Sequence, residues 1–160
     1  MAIYLDDAAV AGLLDMPSCI AALEEAFREK AEGFAANQPR RRVPFQGRRF
    51  MMMFGSMDRK GYLAFKAYGA GKGQDVVLYK GGQGIVAFIR SGNLGQIRTG
   101  AASGVATKYM ARADASRLGC FGTGHQAETQ ITAIAQVRKL TSVHVYGRDA
   151  QKRKAFAEKM

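Results

Sequence analysis

The sequence predicts an α/β chain in two parts: an α+β region over residues 1–113 and the opening β-α-β unit of a second domain over residues 114–160. Three observations lead to it. Apolar residues recur at helical spacing up to residue 34, then in short runs separated by glycine-rich turns between residues 43 and 89. A helical stretch rich in small residues follows. Beyond it an apolar strand, a helix and a second apolar strand alternate, which is the order of a parallel crossover.

The elements follow in order. After a short apolar start (Ile3, Tyr4, Leu5), Asp6 or Asp7 can cap a brief helix through Leu14. Asp15 and Pro17 open a longer one, in which Ile20, Leu23, Ala26, Phe27 and Phe34 form an apolar stripe and Gly33 marks the end. The runs 43–45, 50–54, 62–68, 76–79 and 85–89 read as an antiparallel meander, with Gly81-Gly82-Gln83-Gly84 as its clearest hairpin turn. In the third of these runs Tyr62, Ala64, Lys66 and Tyr68 share one face, so Lys66 projects among tyrosines; a lysine snorkelling at a sheet edge is the plain alternative to a functional role. Residues 98–112 read as a helix whose Gly100, Ala101, Ala102, Ser103, Gly104 and Ala106 let another backbone come close. Strands at 117–121 and 143–146 flank a helix over 126–139, and a last amphipathic helix starts near Asp149.

Composition narrows the function. With 160 residues, 48% of them hydrophobic, the chain can bury a core of its own. No apolar run is long enough to span a bilayer, and Asp6 and Asp7 stand where a secretory signal needs basic residues, so the expected location is cytoplasmic. Cys19 and Cys120 fall on a buried helix face and a buried strand, and two free thiols in a reducing compartment are expected. With only His125 and His144 besides, no metal site is expected. The net charge of +11 raises nucleic acid as a partner. The basic residues gather at Arg40-Arg41-Arg42, Arg48-Arg49 and Lys152-Arg153-Lys154 without a recognition helix or an aromatic RNA-binding signature, so small anions fit the charge better.

One motif carries chemistry. Gly122-Thr123-Gly124-His125-Gln126-Ala127 follows an apolar strand and opens a helix, the context in which a Gly-x-Gly-x-x-Ala turn binds a dinucleotide. Gly122 allows the tight turn, Gly124 lets a pyrophosphate approach the backbone, and Ala127 lets the helix pack closely on the strand. The helix N-terminus supplies amides and a favourable dipole for phosphate. At the end of the second strand, where an NAD site carries an acidic residue, stands Tyr146-Gly147-Arg148. Arg148 suits a 2′-phosphate and favours NADP(H), while Asp149, one or two positions late, keeps NAD(H) as the alternative.

Three stretches together resemble the ornithine cyclodeaminase/mu-crystallin family: Gln38-Pro39-Arg40-Arg41-Arg42-Val43 with the strand of Lys66; residues 94–109, with Arg98-Thr99-Gly100-Ala101-Ala102-Ser103 at their centre; and the glycine turn with Val145-Tyr146-Gly147-Arg148. The resemblance covers nearly the whole chain in the family's order. It implies a homodimer with an N-terminal substrate-binding and dimerisation domain joined to a Rossmann domain, here incomplete because family chains run to about twice this length. It implies hydride transfer between a nicotinamide and the nitrogen-bearing carbon of a small amino or imino acid; the crystallin branch implies a non-catalytic binding protein instead. By position Arg41 and Lys66 match the family's substrate-carboxylate ligands, with Arg40 or Arg42 as alternatives to Arg41, and Lys66 also suits a proton relay. Arg98, opening the small-residue helix, and Thr99 beside it match cofactor contacts; so do Gly122 to Ala127, and Gly147, Arg148 and Asp149. The family's catalytic aspartate lies beyond Met160.

Overall fold

The computed structural model describes residues 1–71, 73–90 and 92–160, and its α/β architecture agrees with the sequence. The chain forms two compact units, one of Met1–Leu13 with Glu25–Leu94 and one of Leu14–Glu24 with Gly95–Met160. This division by packing differs from a division by role at residue 113.

The first unit is built on a six-stranded sheet of order β1-β6-β5-β4-β3-β2. Its strands are β1 (Ile3–Leu5), β2 (Ala35–Phe45), β3 (Arg48–Met57), β4 (Tyr62–Tyr68), β5 (Gln74–Lys80) and β6 (Gly84–Arg90). Strands β2 to β6 make the expected antiparallel meander. The short apolar start is itself a strand, β1, which pairs parallel with β6 and makes the sheet mixed. Strand β2 begins at Ala35 instead of near residue 43, so the whole arginine run lies in it. Its polar residues and Pro39 hide it from a hydrophobicity reading, and a sheet edge tolerates both.

Helix α1 (Asp7–Leu13) is capped by Asp6, whose carboxylate accepts from the Ala9 amide at 2.9 Å. Helix α2 (Met16–Ala31) is capped in the same way by Asp15, 2.7 Å from the Ser18 amide. It ends where Gly33 takes φ +84°, a left-handed backbone that glycine adopts without strain.

Helix α3 (Gly92–Met110), which belongs to the second unit from Gly95 on, starts six residues before the expected Arg98, because Asn93 and Gly95 are poor helix formers that the fold nonetheless keeps helical. Strand β7 (Arg117–Phe121), helix α4 (His125–Val137) and strand β8 (Ser142–Tyr146) form the predicted parallel crossover, followed by α5 (Ala150–Lys159). Met16, Cys19 and Ile20 of α2 pack with Ala101 and Val105 of α3 and Ala133 of α4. Ala127, Ile131 and Phe156 form a second cluster against Leu118, Cys120 and Val145 of the two strands. Cys19 is buried and Cys120 half-buried, less covered than expected; both are free thiols.

The end of α3 is closed by Arg138. Its Nη2 donates to the carbonyl oxygens of Thr107, Lys108 and Ala111 at 3.0, 3.1 and 2.9 Å, and its Nε donates to that of Arg112 at 3.1 Å. A helix leaves its last carbonyls without partners, and one planar guanidinium here serves several of them.

Among the described residues no helix is long and apolar enough to cross a membrane.

Candidate dinucleotide and carboxylate sites

The carboxylate candidates belong to the first unit. Lys66 sits in the middle of β4, paired with Met53 on one side and Val76 on the other. Paired residues share a sheet face, so Met51, Met53, Tyr68 and Val76 lie on the face of Lys66. The Lys66 ammonium is 5.2 Å from the centre of the Tyr68 ring, and the Arg40 guanidinium is 5.6 Å from the same ring. Two cations therefore share one aromatic side chain.

The register treats the three arginines differently. Arg42 pairs with Met51 and lies on the Lys66 face, whereas Arg41 pairs with Met52 and lies on the opposite one. The pairing shifts between Gln38 and Arg41, and this irregularity decides which side chains face Lys66. The structure thus brings Arg40 and Lys66 to one ring and sets Arg41 on the other face.

That other face is aromatic. Phe54 and Phe65 have ring centres 6.2 Å apart, and Phe65 and Tyr79 6.3 Å apart. Phe54, Leu63 and Phe88 are exposed on it.

The dinucleotide candidates belong to the second unit. Arg98 lies within α3, not at its opening, and is exposed; Thr99 donates its hydroxyl to the Gly95 carbonyl of its own helix at 2.7 Å. The glycine turn stands at the carboxyl end of β7. Gly122 takes φ +115°, and its amide donates to the Tyr146 carbonyl of β8 at 2.7 Å, tying the ends of the two strands together. Gly124 is the N-cap of α4 and supplies no side-chain cap; its carbonyl accepts from the Ala127 amide at 2.9 Å, and the amides of His125 and Gln126 ahead of it suit a ligand or water. His125 and Gln126 are exposed there, and Ala127 is buried against the strands.

Gly124 has an ordinary extended backbone, φ −100° and ψ 178°, and a Cβ built on it would meet no atom within 4 Å. Neither backbone strain nor the chain's own packing calls for glycine at this position. The glycine leaves the backbone here open to approach, and the residues present fit a pyrophosphate at this point.

At the end of β8, Gly147 is enclosed. A Cβ there would stand 3.2 Å from the Thr123 methyl and 3.4 Å from Cγ of Arg153. Arg148 is exposed, while Asp149 caps α5, its carboxylate accepting from the Lys152 amide at 3.0 Å. That hydrogen bond holds the Asp149 carboxyl below its ordinary range, helped by the positive charges of Lys152 and Arg153. Arg153 stands in the sequence only as one of a basic run, with no local signal of its contact with Gly147.

Residues 2–160 match the model of the ornithine cyclodeaminase/mu-crystallin family. Over 73 residues the chain is 47% identical to a Delta(1)-pyrroline-2-carboxylate reductase of Bacillus cereus, covering 46% of this chain and 22% of that protein. Its fold superimposes on an archaeal alanine dehydrogenase dimer with bound NAD at a TM-score of 0.91 and 27% identity, covering 99% of this chain and 52% of the other. It superimposes on the Thermococcus litoralis Delta(1)-pyrroline-2-carboxylate reductase in complex with NADH and L-proline at 0.88 and 29% identity, covering 98% and 52%. The chain therefore spans about half the length of these solved relatives.

Proposed function

Because the chain belongs to the ornithine cyclodeaminase/mu-crystallin family, we propose that it serves in a nicotinamide-dependent enzyme that acts on a small amino or imino acid. The observation that carries this reading is Gly124, a glycine required by neither strain nor packing, at the mouth of a strand-to-helix turn. A dinucleotide at that turn would lie with its phosphates on the first amides of α4 and its adenosine ribose towards Gly147, Arg148 and Asp149. A dinucleotide held by these residues would supply the chemistry of hydride transfer to or from a carbon bearing nitrogen. Arg98 and Thr99 are the remaining cofactor ligands of this reading.

NADP(H) is the cofactor we favour. Arg148 is exposed and suited to a 2′-phosphate, and the carboxylate of Asp149 is already engaged as a helix cap. The solved relatives named above hold NAD and NADH, so the preference belongs to this chain's own residues.

The substrate carboxylate falls to Lys66 and one arginine. Arg40, which shares the Tyr68 ring with Lys66, supports this pairing better than Arg41 on the opposite face. In this reading residues 1–113 serve the substrate and a homodimer, and residues 114–160 the dinucleotide. The exposed aromatic face of the sheet supports the homodimer, and the two free thiols suit the reducing cytoplasm.

Titrating the chain with NADPH and NADH, followed by nicotinamide fluorescence, tests the reading; the absence of tryptophan removes indole emission as a competing signal. Saturable binding with a preference for NADPH is expected. Binding of neither dinucleotide would overturn the cofactor role for this chain.

A further inference from the structure

The turn that carries Arg148 is held from both sides. Gly147 faces the Thr123 methyl on one side, and the aliphatic part of Arg153 closes the other, each at ordinary or tighter contact distance from a built Cβ. The Arg153 guanidinium also donates through Nη1 to the Gly147 carbonyl oxygen, and its backbone amide donates to the Asp149 carbonyl at 3.1 Å. One residue in the first turn of α5 thus reaches back past Arg148 and Asp149 to Gly147 at the end of β8.

Thr123 belongs to the glycine turn, and the Gly122 amide already binds the Tyr146 carbonyl. The ends of β7 and β8 are consequently one braced assembly from which the Arg148 side chain stands exposed. Arg153 is half-buried and Arg148 exposed, so the two arginines of this turn do different work.

We propose that Arg153 is a positioning residue for cofactor selection: it clamps Gly147 against Thr123, and so fixes the backbone from which Arg148 reads the 2′-phosphate of NADP(H). The inference rests on the dinucleotide reading above. Its physical basis is preorganisation, since an arginine on a loose turn must be ordered when the phosphate arrives and loses affinity for it.

The test is a double-mutant cycle on the full chain, read as the ratio of NADPH to NADH affinity by nicotinamide fluorescence. Arg153→Met keeps the aliphatic contact and removes the donor. It is expected to lower the ratio by roughly tenfold, the scale of one charge-assisted hydrogen bond. Arg153→Lys, which keeps a cation and a donor, is expected to retain most of the preference.

In an Arg148→Met background, Arg153→Met is expected to change nothing further, because its effect passes through Arg148. A further loss in that background would make Arg153 a direct phosphate ligand and overturn the positioning role. If the unsubstituted chain prefers NADPH and Arg153→Met keeps that preference, the role of Arg153 falls while the dinucleotide reading stands. A chain that binds neither dinucleotide overturns both. Should Arg153→Met unfold, Thr123→Ser, which removes the methyl facing Gly147, is expected to lower the ratio in smaller measure, and an unchanged ratio there overturns the clamp.

Discussion

Gly100 of α3 lies directly against the backbone of Thr129 in α4: a Cβ built on it would stand 2.4 Å from the Thr129 carbonyl oxygen. No side-chain adjustment relieves such a contact, because the obstacle is main chain. The small residues of α3 are therefore a condition of the crossing between the two helices. Gly104 is less constrained, its nearest neighbour being the end of the Ile20 side chain at 3.1 Å, with the Ala133 carbonyl oxygen at 3.2 Å.

Gly100→Ala is expected to destabilise the chain by about 3 kcal/mol, the upper part of the range for overpacking, and Gly104→Ala by about 1 kcal/mol. Urea unfolding followed by circular dichroism measures both. An equal effect at the two positions would mean that the helices separate freely.

Arg138→Met is expected to cost about 2 kcal/mol in the same experiment, since it removes the donor shared by the carbonyls of Thr107 and Lys108 in α3 and of Ala111 just beyond it. Arg138→Lys should recover little of this, because an ammonium cannot reach several carbonyls in one plane. A lysine variant as stable as the parent would contradict the capping role.

In the whole protein, Lys66→Ala is expected to lower turnover of an imino acid by about a hundredfold or more, the scale of a lost proton-transfer or anchoring group. Dinucleotide affinity should stay unchanged. Retained turnover would remove Lys66 from the chemistry.

Two of the three capping aspartates, Asp15 and Asp149, contribute to the acid side of the stability profile. Asp15 is held below the ordinary aspartate value of 3.8 by the Ser18 hydroxyl and amide, and Asp149 by the Lys152 amide. A depressed folded value means that each contributes stability above the unfolded value and loses it as pH falls through the folded one. Replacing both with asparagine keeps a capping oxygen and removes the titration. The melting temperature of that variant is expected to fall less between pH 5 and pH 2 than that of the parent, in flat contrast to a parallel decline of the two.

Burial pushes the Cys19 thiol up, against a smaller downward pull from the Arg98 guanidinium, and burial raises the Cys120 thiol as well. Both should react slowly with Ellman's reagent at pH 7 in the folded chain and quickly after denaturation. Fast labelling of the folded chain at Cys19 would show that the α2 contact opens.

Regions with a clean period were legible in the sequence, and regions that depend on distant backbone were not. Strand β7 and helix α4 announced themselves by an apolar run meeting a glycine turn, and Asp15 and Gly33 bounded α2 by cap chemistry that acts locally. Strand β2 was hidden because residues 37–42 are polar or proline, and the start of α3 because asparagine and glycine mask a helix held by its surroundings. The choice among the three arginines depended on a pairing shift after Gln38, which turns side chains to the other face and leaves no trace in composition. Arg138 and Arg153 act on carbonyl oxygens, which carry no sequence signature at all.

Strand β2, at the border of the six-stranded sheet, has a consequence for handling the protein. An unpaired border strand invites another chain to add to it, and repulsion among Arg40, Arg41 and Arg42, together with the missing N–H of Pro39, discourages that addition. The arginines offered to a carboxylate therefore also guard against self-templated growth. Replacing them to probe substrate binding removes a solubility safeguard at the same time, and only the soluble, monodisperse fraction of such variants reports on ligand affinity.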